Sequence, residues 1–288
     1  MSRLSKFLLS FAIFVALCYG GLVWFVNGEV RKGLDEAVSD VDGLTLAYDG
    51  LDVGLADHTV TLTNANAVLP SGQRLRADEV VVTAYDRKHR TPHFVTARAK
   101  GLVIRPGDAD LPGLSLAEPI KGDLFVDYAY DPKSRSLTIK SLAFDAGDAG
   151  EAALSGSFTQ LDLDALRVEK LLGLSLKDLR LTVANGSFMD KLFERAANRL
   201  GMSRSGARLQ ARNELTAMAD YAAGEDNAVA AEALRGLSQF VSDPGTLTVT
   251  AAPVEPVPCL YLFMGRDLYE NLRLLRVTVV ADKTTASN

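Results

Sequence analysis

The chain has 288 residues, with 31 basic and 36 acidic side chains and a net charge of −5. That balance argues against nucleic acid as a partner, since neutralising phosphates requires clustered excess lysine and arginine. Its two cysteines, Cys18 and Cys259, sit in unlike surroundings, one in an apolar run and one after a Pro-rich stretch, which excludes a disulfide framework.

The first feature in chain order is an uncharged run from Phe7 to Val26, FLLSFAIFVALCYGGLVWFV. At about 1.5 Å per residue such a helix is about 30 Å long, the thickness of a bilayer's hydrocarbon core. The apolar region of a cleaved signal peptide is shorter, about 7 to 15 residues, so an uncleaved anchor is expected. Arg3 and Lys6 ahead of the run favour a short N-terminus inside and a long exported body.

From Gly43 to Phe158 the sequence predicts short strands. Leu44, Leu46 and Tyr48 alternate with Thr45 and Ala47, and Val60 and Leu62 alternate with Thr59, Thr61 and Thr63. Further strands are expected at Val80–Tyr85, Phe94–Ala99, Leu102–Ile104, Asp123–Tyr130, Ser136–Phe144 and Ala152–Phe158. Period-two alternation punctuated by Asp-Gly, Ser-Gly and Pro-Gly is the pattern of antiparallel strands with one face buried. Pro106 to Pro119 reads as a loop and Leu161 to Leu172 as a short helix, before alternation returns over Leu174–Val183.

Ser187 to Val241 is helical in character. Ser187 and Asp190 have the spacing of a capping box, and Phe188, Leu192, Ala196 and Leu200 recur at helical intervals. Leu209, Leu215, Met218 and Ala222 mark a second helix. Val229, Leu234, Leu237 and Val241 mark a third, ended by Asp243-Pro244-Gly245. Strands are expected at Thr246–Ala251 and Leu272–Ala281. The predicted fold class is α+β: an N-terminal transmembrane helix, then a mainly antiparallel, one-sided sheet, with a helical segment near the C-terminus. The expected divisions are an anchor over 1–32, a β-rich domain over 33–186, the helical segment over 187–243, strands rejoining the sheet over 244–282 and a disordered tail over 283–288.

No motif supplies a catalytic site: the chain has no Gly-rich phosphate loop, nucleophile elbow or Cys-x-x-Cys. No cofactor is implied. His89 and His93 stand four apart, as in a helical zinc pair, but Pro92 lies between them, so solvated loop histidines and no metal are expected. The carboxylates Asp145, Asp148 and Glu151 are read as a hairpin turn rather than a calcium loop. Arg195, Arg199, Arg204, Arg208 and Arg212 carry a spacing of four with no acid between the first and the last. On helices they form a basic stripe, either a docking face for an anionic surface or a solvated face. The apolar strand residues Leu44, Leu46, Val60, Leu62, Val80, Val82, Leu102 and Ile104 are the candidate lipid-binding face. They either pack as a plain core or curl into a groove for acyl chains.

With its uncharged anchor, the strand run Leu44–Val82, the segment RTPHFVTARAKGLVIRP (Arg90–Pro106) and the stretch ALRGLSQFVSDPGTLTVTAAPVEPVP (Ala233–Pro258), the chain resembles the AsmA-like and YdgA-type proteins of the Gram-negative envelope. The resemblance implies a single-pass protein of the bacterial inner membrane with its body in the periplasm. It implies no catalytic residues. The function it implies is non-enzymatic, in envelope or outer-membrane homeostasis, with an apolar sheet face that binds phospholipid, another envelope lipid or an envelope protein. A structural subunit with a closed core is the alternative, and a membrane-tethered hydrolase a third.

Overall fold

The computed structural model describes residues 26–36, 38–39, 42–54, 57, 59–86, 88–89, 91–105, 119–163, 173–264 and 267–283. Twelve strands join in antiparallel pairs, and most of the helical residues follow the ninth. The chain divides into two units: residues 1–84 with 97–121, and residues 85–96 with 122–288.

The first element of the expected fold is corrected. The segment Phe7–Val26 lies, apart from Val26, outside the described residues. Among the described residues no helix is long and apolar enough to cross a membrane. Helix α1, residues 26–36, carries Glu29, Arg31, Lys32, Asp35 and Glu36. The transmembrane helix is therefore withdrawn from the fold class. The single-pass inner-membrane location, the periplasmic body and the signal-anchor reading that depended on it are withdrawn as well. The loop expected over Pro106–Pro119, the greater part of the helix expected over Leu161–Leu172 and the tail beyond Lys283 also lie outside the described residues.

In the first unit, β1 (Thr45–Ala47) and β2 (Gly50–Val53) both pair with β3 (Val60–Val68), which pairs with β4 (Arg74–Tyr85). Phe94–Ala99 and Leu102–Ile104 belong to a single strand, β5 (Phe94–Arg105). Gly101 does not break it, because its φ of +60° is open to glycine and the Asp78 carboxylate lies against the space where a Cβ would stand.

The second unit holds β6 (Ile120–Asp131, from Gly122 on), β7 (Ser136–Asp145), β8 (Gly150–Thr159), β9 (Ser175–Asn185), β10 (Thr246–Ala251), a short β11 (Val257–Pro258) against β9, and β12 (Thr278–Asp282). Their register turns strand alternation into rows. Val126, Leu142, Leu154, Leu181, Val249 and Val279 are successive partners across six strands. Leu124, Phe144, Ala152, Val183, Leu247 and Ala281 form the next row but one. A slip of one residue in any strand would turn its apolar set to the other face. The β7–β8 turn is made by Asp145, whose carboxylate accepts from the Gly147 amide at 2.8 Å. At Gly150, φ +122°, a Cβ would meet the Ala184 carbonyl.

Helices α2 (Phe188–Leu200), α3 (Arg204–Gly224) and α4 (Ala228–Ser242) cover one face of this sheet. Met189, Phe193, Ala197, Phe240 and Val241 bury against Leu247, with Val183, Val249, Val279 and Ala281 beside them. Alanines let α3 and α4 approach closely: Ala219, Ala222, Ala230 and Ala231 surround Leu234, which is 1 % exposed. Burying such a leucine contributes about 1.5–3 kcal/mol. Gly236 of α4 lies on the sheet backbone, where a Cβ would stand 2.5 Å from the Val279 carbonyl oxygen.

Two local expectations change. Ser187 makes no side-chain cap; Asn185 accepts from the Met189 amide at 3.0 Å instead. The strand expected over Leu272–Ala281 is only β12, because Asp267 accepts from the Glu270 amide at 2.7 Å and starts a helix, Leu268–Leu274.

Candidate functional site

The candidate lipid face falls in the first unit. Val60 and Leu62 are cross-strand partners of Val82 and Val80, so these four share one patch. Leu46 stands opposite Ala67 on β1. Val60, Leu62 and Leu102 are buried, while Leu44, Leu46, Val80, Val82 and Ile104 are half-buried. Three of the eight residues are thus already sequestered as the chain stands.

The arginine series is divided by the fold. Arg195 and Arg199 lie on α2 and are exposed. Arg204, Arg208 and Arg212 occupy successive turns of α3, where a spacing of four places them on one side. They line a cleft of about 290 Å³ together with Asp190, Ser205, Leu209 and Ser242. The residues come from all three helices: Asp190 from the first turn of α2, the arginines from α3, and Ser242 from the last residue of α4. Three elements hold them. Ser203 caps α3, accepting from the Gly206 amide at 3.1 Å. Thr216 and Ser238 both donate to the Arg212 carbonyl, at 2.9 and 3.3 Å, which ties α4 to α3 beneath the cleft. Met189 and Phe193 of α2 anchor the third wall in the core.

The charges do not cancel. Asp190 accepts from the Arg208 guanidinium at 2.9 Å and lies 3.9 Å from that of Arg204. One carboxylate thus contacts two of the three guanidinium groups that line the cleft. Arg208 also stacks over the Phe193 ring at 5.4 Å, a contact that holds its plane in place. Its Nε is buried and has no hydrogen-bond partner. A buried N–H left unpaired costs about 1–3 kcal/mol, so an acceptor entering here would be favoured. The sequence showed the arginines; Asp190, read as a helix cap, and Ser242, thirty residues beyond Arg212, carried no signal that they belong with them.

A second cluster lies at the tip of the β4–β5 hairpin, in the second unit. Asp86 and His93 are buried, and His89 is exposed. The expectation of solvated loop histidines is corrected for His93, at 6 % exposure. Asp86 Oδ1 accepts from the Lys88 amide at 2.8 Å, while Oδ2 accepts from the His93 amide at 3.2 Å and lies 2.5 Å from His89 Nδ1. Burial alone would raise the Asp86 pKa, but the Lys88 amide, the His89 ring and the His93 amide together outweigh it and hold the carboxyl at about 2. The two imidazoles stack at 3.7 Å, and Tyr130 meets His93 edge-on at 5.0 Å. One ligand atom from each of Asp86, His89 and His93 can be chosen so that all lie within 4.8 Å of one another. Cys259 is half-buried, and burial pushes its thiol pKa up, which suits an inert side chain.

A family model described as "Uncharacterized protein" matches residues 143–282. That span holds the end of β7, from Ala143 on, then β8 to β12 and the whole arginine cleft; the hairpin cluster lies outside it. No curated protein matches the chain.

Proposed function

We propose that this is a non-enzymatic binding protein whose α3 cleft holds an anionic ligand, a phosphoryl group being the best fit. The observation that carries the reading is the excess of Arg204, Arg208 and Arg212 over Asp190 around a cleft of about 290 Å³, with the Arg208 Nε buried and unpaired. Guanidinium groups match phosphate geometry through forked, charge-assisted hydrogen bonds. The volume suits a headgroup-sized anion rather than a large cofactor. Leu209, half-exposed on the cleft wall, offers apolar contact to whatever carries the phosphate. The likeness of Leu44–Val82 and Ala233–Pro258 to envelope lipid-handling proteins is the reason to include an amphiphile among the ligands.

The test is a calorimetric titration of the full chain with inorganic phosphate and with a monomeric short-chain phosphatidate. Hydrogen bonds to charged groups are worth about 1.5–3 kcal/mol, so Arg208→Gln and Arg212→Gln should each weaken binding about tenfold or more. A phosphatidate affinity well above that of phosphate assigns the ligand to lipid. Equal affinities assign it to free phosphate. Binding that is absent from the parent, or indifferent to both substitutions, removes the reading.

A further inference from the structure

The geometry points to a divalent metal site at the tip of the β4–β5 hairpin, formed by Asp86, His89 and His93 and suited to a borderline transition ion such as Zn²⁺. Two imidazoles and one carboxylate make an N₂O donor set, which zinc accepts at about 2.0–2.2 Å per ligand and which leaves one position for water. The three residues lie within eight positions of one another, yet it is the tertiary contacts that collect them.

His93 is held on every side that matters. Its carbonyl accepts from the Tyr130 amide at 2.6 Å, its amide donates to Asp86, and the Tyr130 ring packs edge-on against the imidazole. Tyr130 is itself fixed, its hydroxyl donating to the Leu161 carbonyl at 2.9 Å. Tyr128, on the same strand, donates to the Pro92 carbonyl at 3.0 Å and pins the turn from the other side. Asp86 is oriented by the Lys88 amide. Two ligands are thus prepositioned, as a metal site requires of the groups behind its ligands. His89 is the movable jaw: it is exposed, and its contacts are to the two other members of the cluster.

His89 Nδ1 and Asp86 Oδ2 lie in hydrogen-bond contact at 2.5 Å. Tetrahedral ligands at about 2.0–2.1 Å from zinc are about 3.3 Å apart. Binding therefore opens the 2.5 Å contact and draws in ligand atoms that now lie up to 4.8 Å apart. The face-to-face stack must open too, because two nearly parallel rings cannot both aim in-plane lone pairs at one ion. Rotation of the exposed His89 ring accomplishes both changes without moving His93.

The experiment is a titration of the metal-stripped full chain with Zn²⁺ and Co²⁺, read by calorimetry and by cobalt absorption. One ion per chain is expected, with the cobalt spectrum of a low-coordinate site abolished by excess Zn²⁺. His89→Ala removes an exposed side chain and should leave the far-UV circular dichroism intact while weakening binding at least tenfold. Cys259→Ser should leave it unchanged. His93→Gln should also lose the ion, and its melting curve reports whether the hairpin survives. The proposal is overturned if the parent binds no stoichiometric ion, or if His89→Ala binds as the parent does. Loss in Cys259→Ser with retention in His89→Ala would place the ion elsewhere and overturn it equally.

Discussion

The hairpin tip and the arginine cleft lie in the same unit of the molecule and treat a carboxylate, buried in the first and exposed in the second, in opposite ways. At the hairpin, Asp86 is saturated: two backbone amides and an imidazole satisfy it within eight residues of chain. In the cleft, Asp190 is outnumbered, and the guanidinium it serves keeps an unpaired buried Nε. A saturated acid stabilises its own loop. An outnumbered one leaves a positive potential for an anion to neutralise.

The cleft depends on helix packing, so the largest expected effect is from Leu234→Ala at the α3–α4 contact. A fully buried leucine in an alanine-lined seam should cost about 2–5 kcal/mol in urea unfolding, and phosphate affinity should fall with it. Unchanged stability would mean that the cleft walls stand without that seam.

The saturated acid is tested by Asp86→Asn, which removes an ionic acceptor and should cost about 1–3 kcal/mol near neutral pH. The pH dependence has a fixed sign. The folded-state pKa is about 2, below the usual carboxylate value, so the unfolded chain binds more protons and stability is fully present above pH of about 4. It is lost as pH falls through the folded-state value. Denaturation curves of the parent between pH of about 4 and 2 should show this fall, and those of Asp86→Asn a shallower one.

Asp190→Asn sharpens the comparison from the other side. An exposed ion pair is worth about 0.2–1 kcal/mol, so freeing Arg208 from Asp190 should tighten phosphate about two- to fivefold. Weaker binding in that variant would show that Asp190 orients the arginine more than it competes for it. Arg199→Ala gives the smallest effect. It lies on α2 away from the cleft lining, and less than a twofold change in affinity is expected. A tenfold loss there would restore the continuous stripe over both helices.

Several elements are legible in the residues themselves because their signals are local. Alternation in Leu174–Val183, the strand at Thr246–Ala251, Asp-Gly-rich turns and the Asp243-Pro244-Gly245 stop are short-range steric and hydrophobic effects. The Arg204–Arg208–Arg212 spacing is likewise local, since any helix aligns residues four apart. Other features misled for the same reason. Ser187 has the spacing of a cap, but Asn185 reaches the helix first. Pro92 between His89 and His93 signals the turn that forms, but a turn need not be solvated. Tyr128 and Tyr130 on a strand some forty residues later cover that turn and bury His93.

Sequence alone determined the helix faces, the strand alternation and the clustering of basic residues, because each follows from backbone periodicity and side-chain chemistry within a few residues. Tertiary structure decided which charges meet. Asp190 joins Arg208 across 18 residues, and Ser242 closes their cleft from a third helix. Asp86, His89 and His93 gather only once Tyr130 has fixed the hairpin. Those meetings depend on how elements pack, and packing is set by the whole buried surface rather than by any stretch that forms it.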